Sequence, residues 1–305
     1  MAHPHWPDLP YDAWKETYAT LHMWTQIVGK IRLARMPWLN HCWQVTLYPT
    51  ARGLTTGPMP YAEEQLQIDF DFVAHELDIQ TTRGERHSIV LAPMPVSVFY
   101  RSVMDALRAL GMPVEIYRKP VEVDSRVAFD VDDEHRAYDA EHAHRCWRIL
   151  ASSAKVFQRF RSRFCGKASP VHFFWGSFDL AVTRFSGRTA PPHPGGVPNL
   201  PDRVTRDAYS HEVSSCGFWP GGAAAPFPLF YSYAYPEPAG FGRAPVQPSE
   251  ARYDAALREF VLPYEAVSGA DTPEEKLLAF LQTSYEAAAD LAHWDRRSLE
   301  ASQAE

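Results

Sequence analysis

A helical periodicity opens the chain. From about Asp12 to Arg35, apolar residues recur every three or four positions, which predicts a long helix. A second stripe on the same helix carries His22, Gln26 and Lys30 at intervals of four. This stripe fits either a polar face in water or a face turned inward to a pocket. Gly29, a weak helix former beside it, would permit close backbone approach.

Strand patterns follow in both halves of the chain. The stretch 66–73 alternates apolar and polar residues, and its Asp69 and Asp71 share the face expected to meet solvent. The predicted strands are 41–48, 52–56, 66–73, 75–81, 87–91 and 114–117 in the first half, and 171–175, 178–186, 209–218 and 229–235 in the second.

Further helical patterns alternate with these strands. They predict helices over 95–110, 134–164, 249–262 and 273–294. The fold class is therefore α+β, with antiparallel sheets packed by long helices. The order suggests two similar halves, each a helix, a strand meander and a helix. We place the halves at 1–118 and 134–305, joined by a connector over 119–133, and expect them to pack as one unit.

Composition limits the partners and the compartment. The 305 residues carry a net charge of −7, so no global field attracts nucleic acid. Basic residues on the 134–164 helix are expected to form a solvated face. No apolar run is long enough for a membrane helix, and the start does not resemble a signal peptide. The four cysteines show no disulfide framework, which favours a cytoplasmic protein with reduced thiols.

The most aromatic stretch of the sequence, 171–188, also carries ionisable residues. His172, Asp179 and Arg184 lie among its apolar positions. Burying an unpaired charge is costly, so these side chains need partners or a cavity. The stretch predicts a polar pocket lined with aromatic side chains. His172 and Asp179 flank the turn at 176–177 and would meet across a hairpin.

A second strand, 209–221, adds candidate chemistry. Its His211 and Glu212 are adjacent and point to opposite faces of a regular strand. An imidazole with one or two carboxylates would suit zinc, iron or manganese, or would act as a base with its orienting carboxylate. Cys216 would be a nucleophile only beside a histidine that lowers its pKa. A buried, inert cysteine is the commoner arrangement.

The usual nucleotide-binding and hydrolase motifs are missing from the sequence. The leading hypothesis is a small-molecule enzyme or binder with an aromatic pocket, in which a divalent metal is one option. The predicted catalytic residues, which are also the predicted metal ligands, are His172, Asp179, His211 and Glu212. The predicted ligand-binding residues are His22, Lys30, Arg32, His41, Trp175, Arg184 and Tyr233. The alternative is a non-catalytic interaction or scaffold protein whose aromatic strands are core only.

Several long motifs resemble those of a bacterial family known only as a domain of unknown function. They are the segments 20–22, 29–32, 40–41, 52–56, 172–188, 210–221 and 230–238. The resemblance covers nearly the whole chain, with one departure at Cys42, where the family pattern has an aromatic residue. It implies no activity, cofactor or catalytic residue. It does imply that the motifs of both halves belong to one unit.

Overall fold

A computed structural model of the chain describes residues 5–197, 199–222 and 225–301. The helices are α1 (Tyr11–Arg35), α2 (Val96–Ala109), α3 (Ala140–Ser162), α4 (Asp202–Ala208), α5 (Tyr264–Ser268), α6 (Pro273–Leu291) and α7 (Arg296–Leu299). The strands of the first half are β1 (Tyr48–Pro49), β2 (Gly53–Thr55), β3 (Met59–Tyr61), β4 (Glu64–Asp71), β5 (Glu76–Thr81) and β6 (Arg86–Val90). Those of the second half are β7 (His172–Phe174), β8 (Asp179–Thr189), β9 (His211–Trp219), β10 (Leu229–Tyr235), β11 (Arg252–Asp254) and β12 (Glu259–Pro263).

Within the described ranges the strands form two six-stranded antiparallel sheets, which confirms the α+β class. The first sheet has the order β1-β2-β4-β5-β6, with β3 also paired to β4. Its β4 alternates as predicted: Leu66, Ile68 and Phe70 are buried, whereas Asp69 and Asp71 on the other face remain partly accessible. The second sheet has the order β11-β12-β10-β9-β8-β7.

Helix α1 is the central element of the fold. Every residue from 20 to 32 is buried, so this part of the helix is enclosed on all sides. The polar stripe of His22, Gln26 and Lys30 is therefore inside the protein, and its solvated interpretation is wrong. A helix enclosed in this way must find partners for its polar side chains in the surrounding elements.

The two halves share one core. The largest cluster of buried apolar residues takes members from both sheets and from α1, α2, α3 and α6. Leu47 and Phe173 also form a backbone bridge between the halves, with N–H to O distances of 2.9 and 2.7 Å. The boundaries of the halves, and their similarity to each other, stay predictions.

Three predicted elements are wrong, and tertiary contacts explain the largest differences. The stretch 41–48 is mostly a 3₁₀ turn, in which His41 and Cys42 adopt left-handed backbone conformations that are incompatible with a regular strand. The stretch 249–262 forms β11 and β12 rather than a helix, because pairing with β10 overrides the local periodicity. The stretch 114–117 is not a strand.

The basic side of α3 is partly neutralised by α6. Lys155 and Arg159 contact Glu274 at 2.7 and 3.4 Å, and Arg159 also contacts Glu275 at 3.0 Å. These acidic residues lie in the first turn of α6, where a negative charge also suits the helix dipole. In the part of the chain that the structure describes, no helix is long and apolar enough to cross a membrane.

Candidate functional site

The two faces of the second sheet differ in character. One face packs against α3 and α6 and is largely apolar. The other carries Asp179, Tyr231, Tyr233 and Glu259. Directly paired residues share a face, and Tyr231 pairs with Val261 and Gly217, which in turn pairs with Ala181. Tyr231 is one of these paired residues, and Tyr233, Glu259 and Asp179 each lie two positions from one of them. Because residues two apart on a strand share a face, all four side chains point to the same side.

Asp179 is the centre of this polar face. It is only 8% exposed, and its carboxylate accepts hydrogen bonds from the hydroxyls of Ser177 and Tyr231. Burial raises the pKa of Asp179, and the two hydroxyls oppose this rise. Because both hydroxyl protons point to it, Asp179 is held as an acceptor.

Helix α1 fixes the turn that precedes Asp179. The His22 ring donates from Nε2 to the Gly176 carbonyl at 2.9 Å, and burial lowers its pKa to about 4, so the ring is neutral. The indole of Trp175 lies against Gly29, where any Cβ would overlap the ring. The same indole donates to the Val45 carbonyl at 2.6 Å. The close approach predicted at Gly29 is therefore made by a side chain.

The connector between the halves is attached to α1 by Gln26. Its side-chain amide donates to the Val121 carbonyl at 2.8 Å and accepts from the Val121 N–H at 2.8 Å. This pairing places Glu122, which has a left-handed backbone conformation, against Gly176. A side chain at Gly176 would overlap the Glu122 carboxylate. The glycine thus makes room for an acidic group from the connector.

Glu122 and Glu259 approach Asp179 from two different elements. Burial, followed by the charge of Asp179, raises the pKa of each to about 7. Both side chains are only half-buried, so they are desolvated by surrounding protein while part of their surface reaches solvent. Among the described residues, neither carboxyl group has a hydrogen-bonding or ion-pair partner.

Lys30 completes the charged part of the site. It is 5% exposed, and its ammonium lies 5.3 Å from the Tyr117 ring centre and 5.7 Å from that of Trp175. Burial lowers its pKa to about 8, and the charge of Glu122 opposes this shift. No hydrogen bond or ion pair to Lys30 occurs within the described part of the chain. The ammonium is stabilised by its two aromatic neighbours and by the charge of Glu122, and it has room for a further hydrogen-bond acceptor.

Tyrosines form the wall beside these charges. Tyr209 and Tyr233 share a hydrogen bond of 2.9 Å between their hydroxyls, and Tyr231 stacks on Tyr233 with ring centres 6.1 Å apart. Burial raises the pKa of all three phenols, so they remain protonated donors. We call the set Lys30, Glu122, Asp179, Tyr209, Tyr231, Tyr233 and Glu259 the acid–tyrosine cluster.

Of the residues predicted from the sequence, Asp179, Lys30 and Tyr233 belong to this cluster, and His22 and Trp175 support it. The hairpin register pairs Asp179 with Phe174 and His172 with Ala181, so the expected contact between His172 and Asp179 does not form. His172 is fully buried beside the rings of Trp43 and Phe174. Neither of its ring nitrogens has a partner among the described residues, and burial lowers its pKa to about 3.

Two arginines predicted to bind a ligand lie outside the cluster. Arg184 is fully buried on the opposite face of the sheet, with its guanidinium 3.5 Å from the Phe160 ring centre and 4.2 Å from that of Tyr285. It donates to the Phe160 carbonyl. Arg32 donates to the Thr56 carbonyl beside the first sheet. Both side chains are structural cations in the core.

The remaining predicted residues lie near the far end of β9. His41 accepts from Lys167 at 2.6 Å and lies 5.6 Å from the ring centre of His211. Glu212 points to the opposite face and pairs with Arg188 at 2.7 Å. These residues do not converge with Asp179 on one pocket.

The predicted metal and cysteine chemistry finds no supporting geometry. Within the described ranges, no group of three or more His, Cys, Asp or Glu side chains is placed to hold a metal ion. Cys216 lies on the apolar face, where burial raises its pKa to about 12. Such a thiol is protonated and inert at neutral pH.

Comparison with known proteins places the chain in a family. A family model matches residues 6–301. The chain belongs to DUF5996, a family of unknown function. This confirms the whole-chain resemblance seen in the sequence motifs, and DUF5996 brings no activity to assign. No curated protein and no solved structure matches the chain.

The sequence patterns did not single out four members of the acid–tyrosine cluster: Glu122, Tyr209, Tyr231 and Glu259. Glu122 lies in the connector, where no periodicity marks it. Glu259 fell within a stretch predicted as a helix. A usable signal was present in β10, where Tyr231 and Tyr233 are two apart and therefore share a face.

Proposed function

We propose that this DUF5996 chain is a cytoplasmic small-molecule enzyme or binder, and that its ligand occupies the acid–tyrosine cluster. One observation carries the proposal: Glu122 and Glu259 are desolvated, reach solvent in part, and have no partner among the described residues. Proteins rarely desolvate carboxyl groups without giving them a partner. A ligand that donates to these groups would supply it.

The same geometry supports proton transfer in the enzymatic version of the proposal. A general acid or base works best when its pKa lies close to the ambient pH. Burial, followed by the charge of Asp179, raises the pKa of both Glu122 and Glu259 to about 7. Either group would hold or accept a proton beside a bound molecule. Asp179, held by two hydroxyls, would orient that molecule as an acceptor.

The cytoplasmic part of the proposal draws on the cysteines. All four are unpaired, and two of them, Cys146 and Cys216, are buried. Thiols that remain free suit a reducing compartment. The net charge of −7 favours a small ligand over a nucleic acid.

A fragment screen observed on the protein tests the proposal. The library should contain neutral, cationic and anionic fragments, and the readout is the NMR signals of selectively labelled tyrosine rings. We expect binding fragments to shift the signals of Tyr209, Tyr231 and Tyr233. Tyr48 and Tyr61, in strands β1 and β3 of the first sheet, serve as internal controls and should stay unchanged.

The opposite result has a clear meaning. If no fragment shifts the three cluster tyrosines, or if fragments shift only the control rings, the site proposal fails. The chain would then fit the scaffold alternative, in which the aromatic strands are core only.

A further inference from the structure

The charges of the acid–tyrosine cluster restrict the kind of ligand that would satisfy it. Three carboxyl groups, from Glu122, Asp179 and Glu259, stand against the single ammonium of Lys30. An ionised carboxylate only accepts hydrogen bonds. The two carboxylates without partners therefore need hydrogen-bond donors, and the excess of negative charge favours a donor that is positive.

The other titratable groups that face the cluster do not reverse this balance. From α1, His22 is neutral and its Nε2 is occupied by Gly176. From β11, Asp254 pairs in register with Glu259 and adds negative charge, which helps to raise the pKa of Glu259. Arg252 lies on the same face of β11, opposite Val261, but its side chain is exposed to solvent. From the loop before α4, His193 stacks on Tyr209, and its Nδ1 accepts the Gly195 N–H at 3.0 Å.

The aromatic wall favours the same class of ligand. Tyr209, Tyr231 and Tyr233 present rings beside the carboxyl groups, and the face of an aromatic ring attracts cations. The described side chains do not gather tightly enough to coordinate a metal ion. Acceptors that are spread out among rings suit a larger cation whose charge is carried on N–H groups.

We infer that the ligand of the acid–tyrosine cluster is a small organic cation, an amine or a guanidine, that donates N–H hydrogen bonds to Glu122 and Glu259. This inference rests on the proposed function and adds the ligand class to it. Lys30, which lies beside Trp175 at one end of the cluster, would bind a hydrogen-bond acceptor or an anionic group on the same ligand.

Binding of such a cation is coupled to proton release. With pKa values of about 7, Glu122 and Glu259 are mostly protonated at pH 6 and mostly ionised at pH 8. A cation binds the ionised form, so its affinity rises with pH over this range. One carboxyl group with this pKa would give about a tenfold gain in affinity between pH 6 and pH 8.

Three probes with the same ring and different charge test the inference on the full chain. Benzylamine is the cation, benzyl alcohol the neutral analogue and benzoate the anion, and isothermal titration calorimetry measures each Kd at pH 6 and pH 8. We expect benzylamine to bind at least tenfold more tightly than either analogue at pH 8. Its affinity should fall about tenfold or more at pH 6.

Charge-removing variants assign the effect to the two carboxyl groups. Glu259→Gln and Glu122→Gln keep the size of the side chain and should each weaken benzylamine binding at least fivefold and reduce its pH dependence. Glu115→Gln is the matched control, because Glu115 is exposed and makes the same change in net charge. If Glu259→Gln does not fold, Glu122→Gln still decides the question, since it lies outside the sheets.

Two results would overturn the inference. Either benzylamine does not bind, or benzyl alcohol or benzoate binds as tightly as benzylamine. In both cases the fragment screen still decides the proposed function separately: cluster tyrosines shifted by neutral or anionic fragments would keep the site and reject only the cationic ligand class.

Discussion

Asp179 influences the protonation of two neighbouring glutamates, although its own carboxylate already has hydrogen-bonding partners. Its carboxylate is held by Ser177 and Tyr231, and its charge raises the pKa of both Glu122 and Glu259. Carboxyl groups that share a site cannot all ionise easily, because each charge disfavours the next. The pKa of about 7 at Glu122 and Glu259 therefore depends in part on the charge of Asp179.

Removing the charge of Asp179 should therefore change the pKa values of the two glutamates. In Asp179→Asn, we expect the pKa values of Glu122 and Glu259 to fall, because the negative charge that opposes their ionisation is gone. Carbon-detected NMR titration of the glutamate carboxyl groups measures this. Asp71→Asn, on the solvent-facing side of β4, is the control and should leave both values unchanged. Unchanged values in Asp179→Asn would contradict the proposed electrostatic contact.

At the scale of elements, the site depends on how α1 holds two segments that are distant in sequence. His22 binds the turn between β7 and β8, and Gln26 binds the connector at Val121. The pairing of Gln26 satisfies one backbone donor and one backbone acceptor of the connector. The position of Glu122 therefore depends on a side chain of α1.

A substitution at Gln26 should release the connector. Gln26→Leu keeps the volume roughly but leaves the N–H and C=O of Val121 without their partners, which costs about 1–3 kcal/mol of unfolding free energy. We expect a lower midpoint in urea and faster hydrogen exchange at the Val121 amide. Gln80→Leu, at an exposed position on β5, is the control and should change neither. Unaltered exchange at Val121 would show that the connector is held by other contacts.

The sequence predicted elements well where a local pattern and the tertiary structure agree. Helix α1 and strand β4 have long periodic patterns, and both were correctly predicted. The stretch 249–262 has a helical periodicity, but it forms strands β11 and β12 because of pairing with β10. The site was harder to predict, because its members come from α1, the connector and four strands or turns. Asp179 and Lys30 could be selected as charges in apolar surroundings, whereas Glu122 lies in a connector whose path only the folded structure defines.

At the scale of the whole molecule, the acid–tyrosine cluster should lower stability at neutral pH. Glu122 and Glu259 have pKa values of about 7 in the folded chain, above the ordinary value of 4.5. Between these values the folded state binds more protons than the unfolded state. Their contribution to stability is therefore fully present below pH 4.5 and is lost as the pH rises to about 7. Residues that form binding sites often lower the stability of the folded state in this way.

The double variant Glu122→Gln/Glu259→Gln should show this cost directly. Glutamine resembles the protonated acid, so wild type and variant should be similar near pH 4.5. As the pH rises to 7, we expect the variant to gain thermal stability relative to wild type, with no further gain above pH 8. Melting temperatures over this pH range measure the difference, and Glu115→Gln should give a flat difference. A variant that is less stable at every pH would show that the two acids support the fold.

The stripe on α1 also has a use in the comparison of sequences. His22 and Gln26 fix the two segments that bring acids to the site, Gly29 admits the indole of Trp175, and Lys30 supplies the ammonium. Together they form a short signature, His-x3-Gln-x2-Gly-Lys, written along a single buried helix. A distant homologue that keeps this signature would be expected to keep the same arrangement of acids. One that has lost it would be expected to have a different ligand.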